Sequence, residues 1–134
     1  MTIEPSASLH LKADRDRSMK RGHPWILSGA VAKVEGDPQP GDTVRIIAVN
    51  GTELATASYS PFSALRARVW SFDPNVEITA GFIAETINKA VAQRNADPEL
   101  THTCRLIFGD ADGLPGLTVD RYGEVAVMEI NSVG

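Results

Sequence analysis

The chain has one cysteine, Cys104, in 134 residues. It cannot form an internal disulfide, and this suits a reducing compartment, so a cytoplasmic protein is expected. No apolar run approaches the roughly 20 residues that a membrane span requires. Residues 1–8 show no basic stretch followed by an apolar one, so no signal peptide is expected. Histidine is scarce: neither His10 nor His102 stands at metal-ligand spacing from His23, and no metal site is expected. No Walker motif and no Gly-x-Gly-x-x-Gly turn follows any expected strand. No carboxylate pair stands out. An excess of positive charge is missing too: the formal net charge is -4 and the pI about 5.3, which argues against a surface that coats nucleic acid over its whole extent.

What the chain does have is a globular composition, 43% hydrophobic and 22% charged, and enough length for one ordinary core or two small ones. Its charge is unevenly placed. Residues 1–34 hold six Lys/Arg against three acids, and the remaining hundred hold seven against fourteen. The cationic stretch lies within Leu9–Val34, where Lys12, Arg15, Arg17, Lys20 and Arg21 fall in ten residues and lead into Gly22-His23-Pro24-Trp25. With a Debye length of about 8 Å, such a patch acts independently of acidic regions elsewhere.

Taken in order, Ala7–Leu11 alternates and predicts a first strand. Asp14–Arg21 predicts one or two helical turns, with Asp14 placed to cap and Gly22 to stop them. Trp25-Ile26-Leu27 is expected to bury, and Val31–Val34 to be strand. Gly36–Asp42 is turn-rich. Thr43–Val49 and Glu53–Tyr59 flank Asn50-Gly51, a strong hairpin signal. Leu65–Phe72 alternates, with Arg66, Arg68 and Trp70 on one parity and Ala67 and Val69 on the other. Strands at this spacing suggest a small barrel. Asp73-Pro74-Asn75 marks a composition break. Beyond it Thr79 can cap a helix to about Asn95, whose Phe82, Ile83, Thr86, Ile87, Ala90 and Val91 form an apolar stripe. Cys104–Phe108 predicts a strand, Gly109–Gly116 a tight turn, and Leu117–Asp120 with Val125–Ile130 a hairpin around Arg121-Tyr122-Gly123.

Several residues invite a chemical reading and a plainer one. Arg15, Arg17, Lys20 and Arg21 are either the solvated face of a short helix, with Asp14 and Asp16 as local partners, or a phosphate-contact surface. Spacing alone does not choose between them. His23 is expected to pack or hydrogen-bond beside Trp25. Cys104 sits in an apolar strand with no neighbouring base, which favours a core position over a nucleophile. Asp110-Ala111-Asp112-Gly113 starts like a calcium loop, but Leu114 occupies the next ligand position and no glutamate stands at the twelfth.

Arg21-Gly22-His23-Pro24-Trp25-Ile26-Leu27-Ser28-Gly29-Ala30-Val31 resembles the N-terminal domain of a known family, the S-adenosylmethionine (SAM)-dependent 23S rRNA cytosine-5 methyltransferases that begin with a PUA domain. Val34–Asp42, Ala57–Ser63, Arg66–Phe72 and Gly109–Gly123 fit in the same order. The last is the most specific, with Asp-Gly-Leu-Pro-Gly-Leu ahead of Val-Asp-Arg-Tyr. The resemblance implies a mixed, β-rich chain: a PUA-like barrel over 1–73, then over 74–134 the beginning of a central α/β domain, with one helix and a β-hairpin. It implies an N-terminal fragment that stops before the Rossmann-like methyltransferase domain. The parent enzyme would use SAM and a cysteine that adds to C6 of the base, a role Cys104 should not inherit. The fragment itself would bind no cofactor, carry no catalytic residue and be inactive. Its implied partner is structured RNA, with Lys12, Arg15, Arg17, Lys20, Arg21 and His23 as the implicated contacts. Two alternatives stay open: an oligomerisation module, a homodimer among them, and docking of an RNA other than rRNA.

Overall fold

The structure is a computed structural model that describes residues 2, 3, 5, 7–100 and 102–134. The chain divides into two compact units, Thr2–Ile78 with Val133–Gly134, and Thr79–Ser132. In order, the strands and helices are β1 (Thr2–Ile3), β2 (Ala7–Leu11), α1 (Arg17–Lys20), β3 (Trp25–Leu27), β4 (Val31–Glu35), β5 (Thr43–Ile47), β6 (Glu53–Tyr59), β7 (Leu65–Ser71), β8 (Ile78–Thr79), α2 (Ala80–Asn95), β9 (Thr103–Phe108), β10 (Leu117–Tyr122) and β11 (Val125–Ile130). None of the described helices is long and apolar enough to cross a membrane.

The first unit is built on a six-stranded sheet in the order β3-β7-β6-β5-β2-β4. All neighbours are antiparallel except β2 and β5. Its two edge strands, β3 and β4, are separated in sequence by a single 3-10 turn, Ser28–Ala30. A flat sheet of six strands would hold its edges about 24 Å apart. A linker of three residues reaches about 14 Å. The sheet must therefore curl, and it forms a half-barrel. The concave side is filled by Leu9 and Leu11 from β2, Ile26 from β3, Val44 and Ile46 from β5, Ala55, Ala57 and Tyr59 from β6, and Ala67 and Val69 from β7. Each inward alanine faces a larger side chain across the ladder, Ala55 and Ala57 of β6 against Ile46 and Val44 of β5 and Ala67 of β7 against Tyr59 of β6. This alternation of small and large residues suits a tightly curved interior. Met19 of α1 is buried in the same core.

Three expectations are corrected here. The basic helix is one turn, Arg17–Lys20, instead of the span from Asp14. Its N-cap is Asp16, which makes no side-chain capping bond, and Asp14 instead takes φ 61° in the turn before it. Aspartate tolerates that left-handed conformation, and a residue placed there lies outside the helix. Trp25 and Leu27 do not bury: they are 45% and 57% exposed, against 2% for Ile26 between them. A strand sends alternate side chains to opposite faces, so only the middle residue of this triplet reaches the core. Cys104 is half-buried, not a core residue.

In the second unit α2 lies against a three-stranded antiparallel sheet in the order β11-β10-β9. Ala90, Ile107, Leu114 and Val119 form the core, with Ile83, Ile87, Leu106 and Leu117 packed around it. The Thr79 hydroxyl accepts the Phe82 N–H at 3.0 Å and caps α2. Asp112 is occupied structurally: its carboxylate accepts from Arg94 of α2 at 2.8 Å and from the Phe108 backbone N–H at 2.7 Å. Arg105 and Asp120 face each other across β9 and β10 in a two-bond pair at 2.8 and 3.0 Å. The hydrogen bonds from Arg105 hold the Asp120 carboxyl below its ordinary value.

Two outcomes follow. Thr79→Ala removes the cap of α2 and should cost about 1 kcal/mol in urea unfolding followed by far-UV circular dichroism; an unchanged midpoint would contradict the capping role. Because the folded-state pKa of Asp120 is lowered, its stabilising effect exists above the ordinary aspartate range and is lost as pH falls through the lowered value. Asp120→Asn should therefore be less stable than the parent chain at neutral pH, with the gap closing in acid. A gap independent of pH would show that the ion pair contributes nothing.

Candidate nucleic-acid interface

The basic segment is held by its backbone. At the end of β2 the Lys12 N–H bonds to the Ala30 carbonyl at 2.8 Å, and the Arg15 N–H returns to the Lys12 carbonyl at 3.1 Å. At the end of α1 the Gly22 N–H bonds to Met19 and the His23 N–H to Ser18, both at 2.9 Å. Gly22 has φ 81°. This pair of bonds around a left-handed glycine is a Schellman stop. The expected stop at Gly22 is thus observed, and it turns the chain directly into Pro24 and β3. Met19 anchors the turn from below.

Arg15, Arg17, Arg21 and His23 line one cleft of about 620 Å³, together with Asp14, Ser18, Gly22 and Pro24. Lys12 and Lys20 are exposed but do not line it. Among the described residues the side chains of Lys12, Arg15 and Arg21 make no ion pair. Arg17 bonds Asp14 at 3.2 Å and Lys20 bonds Asp16 at 2.6 Å. The hydrogen bond from Lys20 holds the Asp16 carboxyl below its usual range. The Arg17–Asp14 pair is exposed on both sides, and such a pair contributes about 0–1 kcal/mol, so an incoming phosphate can replace it. The segment is therefore a mixed surface with three unpaired cations, not a uniformly positive one.

His23 packs beside Trp25 as the sequence suggests. Its Nδ1 accepts the Trp25 N–H at 3.2 Å, and the two rings meet edge to face at 5.5 Å. Accepting at Nδ1 assigns the proton of the neutral ring to Nε2, which makes that nitrogen a donor. His10 is engaged elsewhere, 2.9 Å from Glu35, which also pairs with Lys33.

Sequence reasoning missed the aromatic side of this site. Trp25 and Leu27 project outward from β3, and Arg68 of β7 lies opposite Trp25 in register. A bulge between Ile26 and Leu27 leaves Arg66 as the extra residue of β7. The parity of Arg66, Arg68 and Trp70 against buried Ala67 and Val69 was the available signal, once β7 is paired with β3. Among the described residues no group of acids, histidines and cysteine could hold a metal ion.

Residues 9–72 match the family model of a PUA-like domain. Ribosomal RNA large subunit methyltransferase I of Cronobacter sakazakii is 44% identical over 131 residues, which cover 96% of this chain and 33% of that protein. The protein of the same name from Escherichia coli is 43% identical over the same coverage. A solved chain from Streptococcus mutans, assigned as a SAM-dependent methyltransferase, superposes with a TM-score of 0.76 at 21% identity over 94% of this chain and 33% of its own. At that identity the likeness concerns the fold. The chain spans a third of the length of the curated relatives it matches. Residues 9–72 thus match a PUA-like domain, and the chain as a whole is similar to the N-terminal part of ribosomal RNA large subunit methyltransferase I.

Proposed function

We propose that this chain is an RNA-docking unit of a SAM-dependent methyltransferase that acts on cytosine C5 in 23S ribosomal RNA. In this reading residues 1–73 bind RNA and residues 74–134 open the central domain. The observation that carries it is the cleft beside α1, where Arg15 and Arg21 are unpaired among the described residues and Arg17 is held only by an exposed partner. Planar guanidinium groups suit phosphate oxygens, and the backbone bonds at Arg15 and around Gly22 hold the segment that carries them. Recognition through backbone and shape fits a site that presents arginines without a file of base-reading amides. The names of the relatives supply the RNA class and the reaction.

In this reading the cleft beside α1 is not a SAM site. The cleft beside α1 is rimmed by arginines, and the sulfonium of SAM is itself a cation. The methyl-transfer chemistry is assigned to the portion of the relatives that this chain does not span. A second reading, an interface module, draws on β11, whose six residues are all exposed.

Neutralising Arg15 and Arg21 together, as Arg15→Gln and Arg21→Gln, should weaken binding to a structured rRNA fragment. It should also flatten the slope of log K against log[salt] by about 2, near one unit for each phosphate that is no longer neutralised. Solution mass should stay the same. Unchanged affinity with an unchanged slope would contradict the docking reading and leave the interface one.

A further inference from the structure

The cationic cleft has a neighbour. A second cavity of about 400 Å³ shares Arg15, Ser18 and His23 with it and continues between Trp25 and the core. Its lining is mostly apolar, with Met19, Ile26, Ala30, Trp25 and Leu27 contributing. Gly29 stands at its rim, and a side chain built there would meet nothing within 4 Å. A volume of this size, mostly apolar with a few convergent polar groups, is that of a small-ligand site. The indole is 45% exposed although its strand neighbour Ile26 is buried.

We propose that this cavity receives a single unpaired RNA base whose phosphate lies in the adjoining arginine cleft. The proposal rests on the RNA-docking reading and adds the chemical form of the contact: one unstacked nucleotide rather than a paired stretch. A nucleobase has two apolar faces and a polar edge. The faces suit the apolar lining, Trp25 foremost, and the edge suits His23 and Arg15, which line both cavities. Arg15 belongs to both cavities, so it can hold the phosphate and border the base of the same nucleotide. Charge complementarity selects this occupant over a neutral apolar ligand, which would leave the arginine rim unused. A paired base keeps its faces stacked on its neighbours and cannot enter.

The test compares two RNAs, a short hairpin with an unpaired loop and a blunt duplex of equal length, on the chain and its Trp25→Ala and Trp25→Phe variants. Trp25→Ala should weaken hairpin binding about 5- to 150-fold, the range for removal of one stacking partner. Duplex affinity and the salt slope of either RNA should not change, and Trp25→Phe should restore most of the hairpin affinity. Equal hairpin affinity in Trp25→Ala, with the salt slope intact, would overturn the base pocket and leave phosphate docking standing. Equal losses on hairpin and duplex would overturn it as well. Failure of the parent chain to bind either RNA would overturn both readings.

Discussion

Three residues between two edge strands constrain the first unit. Because Ser28–Ala30 alone joins β3 to β4, the sheet cannot lie flat. Curling puts Leu9, Leu11, Val44 and Ile46 on the inside and creates a core that Met19 enters from α1. The same link receives a hydrogen bond from the N–H of Lys12. The basic segment is thereby tied at its start to the barrel seam, through its middle to the core and at its end to β3. A four-residue helix has too few turns to be stable alone. Here it is a fixed part of the barrel, and its arginines are presented on a rigid support.

That support separates two kinds of surface within a few residues. The backbone of Gly22–Ile26 passes from an arginine cleft to an apolar cavity, with His23 and Arg15 on the shared wall. The unit is acidic elsewhere without contradiction, since screened charges act over about 8 Å. Asp14 and Asp16 temper the field of the segment, so affinity should depend on where phosphates fall more than on total charge. In the second unit buried apolar packing joins α2 to β9, and Asp112 ties α2 to the turn after β9.

The most regular elements were legible in the sequence. Glu53–Tyr59 and the α2 stripe with its Thr79 cap appear where the alternation and the helical spacing put them. In each, local propensity and burial pattern agree. The basic segment was legible as charge but not as shape, because a one-turn helix leaves no periodicity and Asp14 takes a conformation that sequence does not announce. Trp25 and Leu27 read as core because they are large and apolar. Which face of a three-residue strand is buried depends on its pairing with β7, a long-range fact. The same long-range pairing brings Arg68 opposite Trp25. Four of the six sequence-derived cations and histidine share one cleft, and Lys12 and Lys20 do not, a distinction that spacing could not make.

Whether RNA meets this chain at the barrel seam is tested most directly by backbone amide chemical-shift mapping on titration with a structured rRNA fragment. The predicted result is a contiguous set of perturbed amides from Lys12 to Leu27, extended to the facing residues of β7. Perturbations confined to Thr79–Ser132, with the Lys12–Leu27 amides unmoved, would contradict it.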